Sequence, residues 1–143
     1  MPLLHDNLEF HNVAALEDAP GTHGLTLPRY PQAVRRLLGE RGRFVSTEST
    51  GCEIRFVTPA PNVRLFLSHL DADQEVTIYR GDFLVGRQPV PAGRVTPIFL
   101  TTPELFSKVR REALAGSFSP DVWRVCFNRA TACYHGIDTF HHE

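Results

Sequence analysis

The residues of this chain that could do chemistry include an acid and a base near its end. Asp138 and His141 are three positions apart and could act as an acid and a base beside a nucleophile. Such a pair works only beside a nucleophile, and the serines, at positions 46, 49, 68, 107, 117 and 119, lie in no nucleophile elbow. The triad is incomplete, so the sequence predicts no catalytic residue here and no ester hydrolysis by this chain alone.

Metal and cofactor ligands are also sparse. Of the seven histidines, only His141 and His142 stand together, beside Glu143. Neighbouring side chains of an extended segment point in opposite directions, and a terminal tripeptide makes a poor zinc site. The glycines fit no phosphate-binding loop. We therefore predict neither a metal nor a cofactor.

The three cysteines are predicted to be buried free thiols. Cys52, Cys126 and Cys133 have neither metal-ligand spacing nor an even count, and each stands among apolar or aromatic neighbours. In such surroundings a cysteine behaves as a small hydrophobic residue.

Length, charge and hydropathy limit the class of protein. The chain has 143 residues, which suits one domain over 1–143, and its net charge of -1 gives no positive field for nucleic acid or anionic lipid. No apolar run approaches a membrane span, and His5, Asp6 and Glu9 stand where a signal peptide would be apolar. We expect a cytoplasmic protein with no nucleic-acid or membrane partner.

Short apolar stretches between turn signals predict an antiparallel β-sandwich, an all-β fold. The predicted strands cover residues 52–58, 63–70, 75–79, 82–85, 95–101 and 122–127. Trp123 alternates in phase with Val125 and Phe127, so we expect it between the sheets with its indole N–H bonded to a backbone carbonyl. The stretch at 63–70 is apolar on both faces in part, which predicts a central strand.

Two short helices are predicted to lie as lids on the sandwich. Residues 31–41 begin with Pro31 and place Val34, Leu37 and Leu38 on one face, and Gly42 follows as a stop. Residues 102–104 are typical of a cap and first turn leading into an apolar segment at 105–109.

A set of short segments, taken in order, resembles a known family. The segments are Phe10-His11-Asn12-Val13, Gly24-Leu25-Thr26-Leu27 with Arg29, Gly51-Cys52-Glu53-Ile54-Arg55-Phe56, Tyr79-Arg80-Gly81-Asp82-Phe83, Pro91-Ala92-Gly93-Arg94 and Phe118-Ser119-Pro120-Asp121-Val122-Trp123-Arg124. From about Phe10 to Phe140 the chain resembles the N-terminal β-sandwich domain of bacterial SGNH hydrolases, also called GDSL-type esterases or acylhydrolases. The stretch from Gly81 to Leu84 differs by one residue from a Gly-Asp-Ser-Leu nucleophile block, but the resemblance assigns it to the sandwich.

The resemblance implies a function by association. In such esterases the sandwich, which resembles a jelly roll, precedes an α/β SGNH domain that holds the catalytic residues. It implies a non-catalytic accessory module that supports a downstream catalytic domain in cis and helps to bind a carbohydrate or acyl ester. The alternative is a free-standing carbohydrate- or protein-binding sandwich without an enzyme partner.

If the domain binds sugar, its ligand residues should combine aromatic rings with polar side chains, since sugar faces stack on rings and hydroxyls need hydrogen bonds. The candidates are His11, Asn12, Arg80, Asp82, Tyr134, His135 and Asp138. Their alternative roles are structural: Tyr134 and His135 could end a strand, and Asn12 and Asp82 could cap turns.

A module cut from a two-domain enzyme should leave one face uncovered. We expect Tyr134, Ile137 and Phe140 to be partly exposed or to meet a second copy of the chain, with weak self-association as the result.

Overall fold

The computed structural model describes residues 3–19, 21–46, 48–114 and 116–140, which form two antiparallel β-sheets. The strands are β1 Leu3–His5, β2 Leu8–His11, β3 Glu17–Ala19, β4 Gly24–Thr26, β5 Glu53–Phe56, β6 Asn62–His69, β7 Gln74–Arg80, β8 Phe83–Val90, β9 Thr96–Thr101, β10 Trp123–Phe127 and β11 Ala132–Asp138. The first sheet has the order β1-β2-β5-β10-β7-β8 and the second β3-β4-β11-β6-β9. The predicted all-β class is confirmed.

The two sheets enclose one core, and the chain crosses from one sheet to the other several times. From β5 onward the chain passes to the other sheet at every connection except the β7–β8 hairpin, as in a jelly roll. Ile54 and Val125 of the first sheet and Leu65 and Ile98 of the second are buried in the same apolar cluster. The strand predicted at 63–70 is β6, which lies between β11 and β9. Its predicted central position is therefore confirmed.

Trp123 is fully buried between the sheets, as its alternation predicts. Its predicted hydrogen bond to a backbone carbonyl is wrong, because Nε1 is buried with no hydrogen-bond partner among the described residues. The guanidinium carbon of Arg80 lies 4.8 Å from the ring centroid, which is cation–π geometry. Packing and this stacking therefore hold the indole.

Some strands are shorter, longer or more numerous than predicted. The three-residue strands β1, β3 and β4 are too short to show alternation, and β2 and β11 were not predicted as strands either. The strand predicted at 82–85 extends through Pro89 to Val90. Proline fits there because β8 is an edge strand and needs no donor on its open side.

The helix predicted at 31–41 is wrong as a single element. It divides into α1, Gln32–Arg35, and α2, Glu40–Ser46. Its predicted apolar face is largely uncovered, since Val34 and Leu37 are exposed and Leu38 is half-buried. The buried residue of α1 is Arg35, whose Nη2 donates to Glu17 Oε1 at 2.6 Å. The second predicted lid is α3, Leu105–Lys108. No helix within the described ranges is long and apolar enough to cross a bilayer.

The three thiols should be slow to react in the native protein. All are free; Cys52 and Cys133 are buried and Cys126 is half-buried. Burial raises the pKa of Cys52 to about 12, although the positive charge of Arg29 acts to lower it. Burial and the negative charge of Glu53 together raise the pKa of Cys126 to about 12. Burial also raises the pKa of Cys133. At neutral pH these groups are thiols rather than nucleophilic thiolates.

A chromogenic disulfide reagent checks this expectation. The native protein should release colour slowly, whereas protein unfolded in urea should react at all three thiols at once. The melting temperature should be the same with and without reductant. Fast labelling of native protein, or a melting temperature that depends on reductant, would show an exposed thiolate or a disulfide.

Candidate functional site

A cavity of about 470 Å³ lies between the β1–β2 turn, the β3–β4 hairpin and β11, and two of the predicted ligand residues line it. We call it the His135 cavity. Its polar lining residues are His5, Asp6, Asp18, His23, Tyr134 and His135. The turns that carry Asp6 and His23 use left-handed backbone, with φ of 52° and 54°. Such conformations cost free energy in non-glycine residues and often occur where side chains are placed for function.

Tyr134 anchors this cavity and does not present a free surface. Its ring is 2% exposed and packs edge to face on Phe10, with the centroids 5.3 Å apart. The phenol donates a hydrogen bond of 2.8 Å to Asp6 Oδ2. Burial, then the hydrogen bond and charge of Asp6, raise the pKa of Tyr134 far above its usual value. The expectation that Tyr134 is partly exposed is therefore wrong.

His135 forms a hydrogen bond with a serine, a contact that also occurs in the active sites of serine hydrolases. Its Nε2 lies 2.7 Å from the hydroxyl oxygen of Ser68. His135 stands at a bulge of β11, between Tyr134 and Gly136, where the register with β6 shifts. Burial lowers the pKa of His135, while hydrogen bonds to the backbone at Thr22 and His23 act in the opposite direction. A neutral imidazole beside a hydroxyl is the contact that activates a serine nucleophile.

The surroundings of the pair argue against a nucleophile. Ser68 is only 4% exposed, so it offers an ester carbonyl almost no accessible surface. A Cβ atom at Gly24 would lie 2.6 Å from the His135 ring, so β4 covers the imidazole closely. Sequence reasoning missed Ser68 because the contact depends on strand register and a bulge. We assign the Ser68–His135 hydrogen bond a structural role, which locks β6 to β11.

His11 and Asn12 lie in another part of the molecule. His11 ends β2 and stands opposite Glu53 in the ladder. Asn12 has a φ of 61°, and its Nδ2 donates to the carbonyl of Gly51 at 3.1 Å. Asn12 thus fixes the turn that follows β2, which is the structural alternative foreseen for it.

Arg80 and Asp82 hold a loop over the first sheet. Arg80 Nε donates to the carbonyl of Pro120 at 2.9 Å, and Asp82 Oδ2 accepts the backbone N–H of Phe118 at 3.1 Å. Gly81, with φ of 60°, begins the turn between β7 and β8. A Cβ atom there would lie 3.0 Å from Pro120, which explains the glycine. Gly81 and Asp82 therefore form the hairpin turn, and Phe83 and Leu84 begin β8.

Asp138 belongs to a third place, on the second sheet. Its Oδ2 accepts a 2.6 Å hydrogen bond from Arg64 Nη2, and its Oδ1 accepts the backbone N–H of Phe140 at 2.8 Å. Phe140 is 44% exposed and Ile137 is half-buried, so two of the three residues expected to be uncovered are at least partly so. His141, the predicted partner of Asp138, lies outside the described residues.

The seven candidates thus do not form one site. Tyr134 and His135 share the His135 cavity, and the others lie in separate places with structural contacts. Among the described residues, no group of three or more His, Cys, Asp or Glu side chains could hold a metal ion. The terminal cluster His141-His142-Glu143 lies outside that range.

Known proteins resemble this chain in fold rather than in sequence. No protein-family model and no curated protein matches the chain. A salicylyl-acyltransferase, SsfX3, from a tetracycline biosynthetic pathway matches it with a TM-score of 0.69 at 9% identity. The match covers 96% of this chain but only 38% of that chain. At this identity it shows the fold alone, and the family resemblance stays a prediction.

Proposed function

We propose that this chain is the non-catalytic accessory module of an SGNH/GDSL-type esterase. The module supports a catalytic domain in cis and contributes to the binding of a carbohydrate or acyl ester. The observation that carries the proposal is the match with SsfX3: nearly the whole sandwich corresponds to little more than a third of an acyltransferase. Acyl transfer and ester hydrolysis differ in the molecule that accepts the acyl group, and in hydrolysis that molecule is water.

The geometry of the Ser68–His135 pair supports a non-catalytic module. A nucleophile must reach the carbonyl carbon of its substrate, whereas Ser68 is 4% exposed. The free thiols have raised pKa values and do not replace it. Three thiols free of disulfides also suit a reducing compartment, so we propose a cytoplasmic location.

The purified chain should not hydrolyse p-nitrophenyl acetate faster than buffer does. The serine of the Ser68–His135 pair is buried, so the Ser68→Ala variant should hydrolyse the ester at the same rate as the wild type. Ser117→Ala, which changes an exposed serine, is the matched control and should also leave the rate unchanged. Release of p-nitrophenol followed by absorbance measures the rate. Turnover that Ser68→Ala alone abolishes would overturn the non-catalytic assignment.

The association with an esterase has its own test. The coding sequence after residue 143 should contain a Gly-Asp-Ser-Leu or Gly-Ser-Ser-Ile block. In the complete protein, deletion of the sandwich should lower the melting temperature of the catalytic domain or its activity on esters. A gene without such a block would overturn the proposal.

A free-standing carbohydrate- or protein-binding sandwich is the second candidate. The observation that favours it is a pair of exposed phenylalanines beside one cleft, since Phe99 is 57% exposed and Phe140 44%. Weak self-association through this face is compatible with either function, and sedimentation at increasing concentration measures it.

A further inference from the structure

A cleft of about 320 Å³ opens on β6 and β9 of the second sheet. We call it the Phe99/Phe140 cleft, and its lining residues are Pro61, Asn62, Val63, Phe99, Thr101 and Phe140. Phe99 lies between the buried residues Ile98 and Leu100, so its side chain points away from the core. The cleft shares no lining residue with the His135 cavity, and of its lining residues Val63 belongs to the core.

The backbone and ring of Phe140 contact Asp138 and Arg64. Phe140 has the left-handed φ of 54°, and its N–H donates to Asp138 Oδ1. The guanidinium carbon of Arg64 lies 4.8 Å from the Phe140 ring centroid. An aromatic residue rarely adopts this backbone conformation unless its surroundings hold it there.

Phe99 is fixed by an amide side chain. Gln88 Nε2 donates to the Phe99 carbonyl at 2.8 Å, and Gln88 Oε1 accepts the Phe99 N–H at 3.3 Å. These two bonds satisfy the backbone of Phe99 on the open side of β9, the edge strand. Because both ring-bearing segments are held in place, a ligand would have little backbone to order.

Besides the two rings, neutral polar side chains line the cleft. Thr101 Oγ1 donates to Asn62 Oδ1 at 3.0 Å, which leaves the Asn62 amide protons as donors and the Thr101 lone pairs as acceptors. The six lining residues carry no charge, and the adjacent charges of Arg64 and Asp138 pair with each other at 2.6 Å. The chemistry suits an uncharged ligand that has both an apolar face and hydroxyl groups.

We propose that the Phe99/Phe140 cleft binds a neutral pyranose ring. The C–H face of the sugar stacks on phenylalanine, and its hydroxyls bond to Asn62 and Thr101. An acyl chain would bury the same rings but leave the amide and hydroxyl groups without partners, which costs affinity. The binding of a pyranose does not depend on the proposed function. Only the further statement that this sugar is part of a carbohydrate-ester substrate rests on it.

Saturation-transfer NMR with the purified chain tests the binding. The probes are the methyl pyranosides of glucose, galactose, mannose and xylose at millimolar concentration. At least one should receive saturation, and both Phe99→Ala and Phe140→Ala should weaken its binding by about fivefold to tenfold. Leu84→Ala is the matched control because Leu84 is an exposed apolar residue of the other sheet, and its affinity should equal that of the wild type.

Three outcomes would overturn the inference. These are no transfer to any of the four pyranosides, binding that both phenylalanine variants retain while their melting curves show that they are folded, or equal weakening in Leu84→Ala. Transfer of saturation to salicylamide but to no pyranoside would assign the cleft to an aryl group instead.

Failure of the inference and failure of the proposed function can be told apart. If a pyranoside binds but the gene encodes no esterase domain, the proposed function fails and the inference stands. If the esterase domain is present and no pyranoside binds, only the inference fails.

Discussion

Replacing Trp123 by alanine should lower the free energy of unfolding by about 3 to 5 kcal/mol, enough to unfold much of the protein. The indole is the largest fully buried side chain, and its removal would leave a cavity between the two sheets. It would also take away the ring on which the Arg80 guanidinium lies. Urea unfolding followed by circular dichroism measures the loss, because the variant lacks the tryptophan of the chain.

Trp123→Phe is the matched control. Since Nε1 has no hydrogen-bond partner among the described residues, the lost N–H should cost nothing, and only the smaller ring volume should destabilise the protein. We expect this variant to lose clearly less stability than Trp123→Ala. Wild-type fluorescence should be blue-shifted and resistant to quenchers. Emission like that of free tryptophan, or equal losses in both variants, would contradict the burial.

Two of the strands that the sequence predicts well alternate between buried and half-buried residues. In β5, Ile54 and Phe56 are buried and alternate with half-buried Glu53 and Arg55. The same period of two identifies β10 through Trp123. The helix predicted at 31–41 failed because spacing shows a potential apolar face but not whether anything covers it.

The candidate site was harder to predict because its contacts depend on register. The Ser68–His135 pair joins residues 67 positions apart in sequence, and it needs the bulge of β11 as well as the β6–β11 register. Tyr134 was expected to be partly exposed because a module cut from a two-domain enzyme should leave one face uncovered, and the strand β2 that covers it was not predicted. Phe10 of β2 and Asp6 of the β1–β2 turn bury it.

Another cluster, on the outer face of the first sheet, has a large expected effect on stability. Glu53 accepts hydrogen bonds from Arg55 at 2.6 Å and from Arg124 at 2.9 and 3.3 Å. Both guanidinium carbons lie over the ring of Phe118, at 4.9 and 3.9 Å from its centroid. The Glu53 side chain is only 14% exposed, so water weakens these contacts little.

The pKa of Glu53 gives this cluster a defined pH dependence. Burial alone would raise it, but the hydrogen bonds and charges of Arg124 and Arg55 outweigh burial and lower it from 4.5 to about 2. A carboxyl group whose pKa is lower in the folded state stabilises the fold fully only above its unfolded pKa. Stability from Glu53 should therefore be complete above about pH 4.5 and disappear as the pH falls to about 2.

Glu53→Gln should accordingly lower the free energy of unfolding by about 2 to 3 kcal/mol at pH 7, since it leaves two half-buried guanidinium groups without their carboxylate. Glu75→Gln, at an exposed glutamate of the same sheet, is the matched control and should change stability by less than about 0.5 kcal/mol. Urea unfolding at a series of pH values measures both. The difference between wild type and Glu53→Gln should shrink between pH 4.5 and 2, because protonation gives the wild type a neutral side chain as well. A difference that stays constant across that range would show that Glu53 acts through packing and not through its charge.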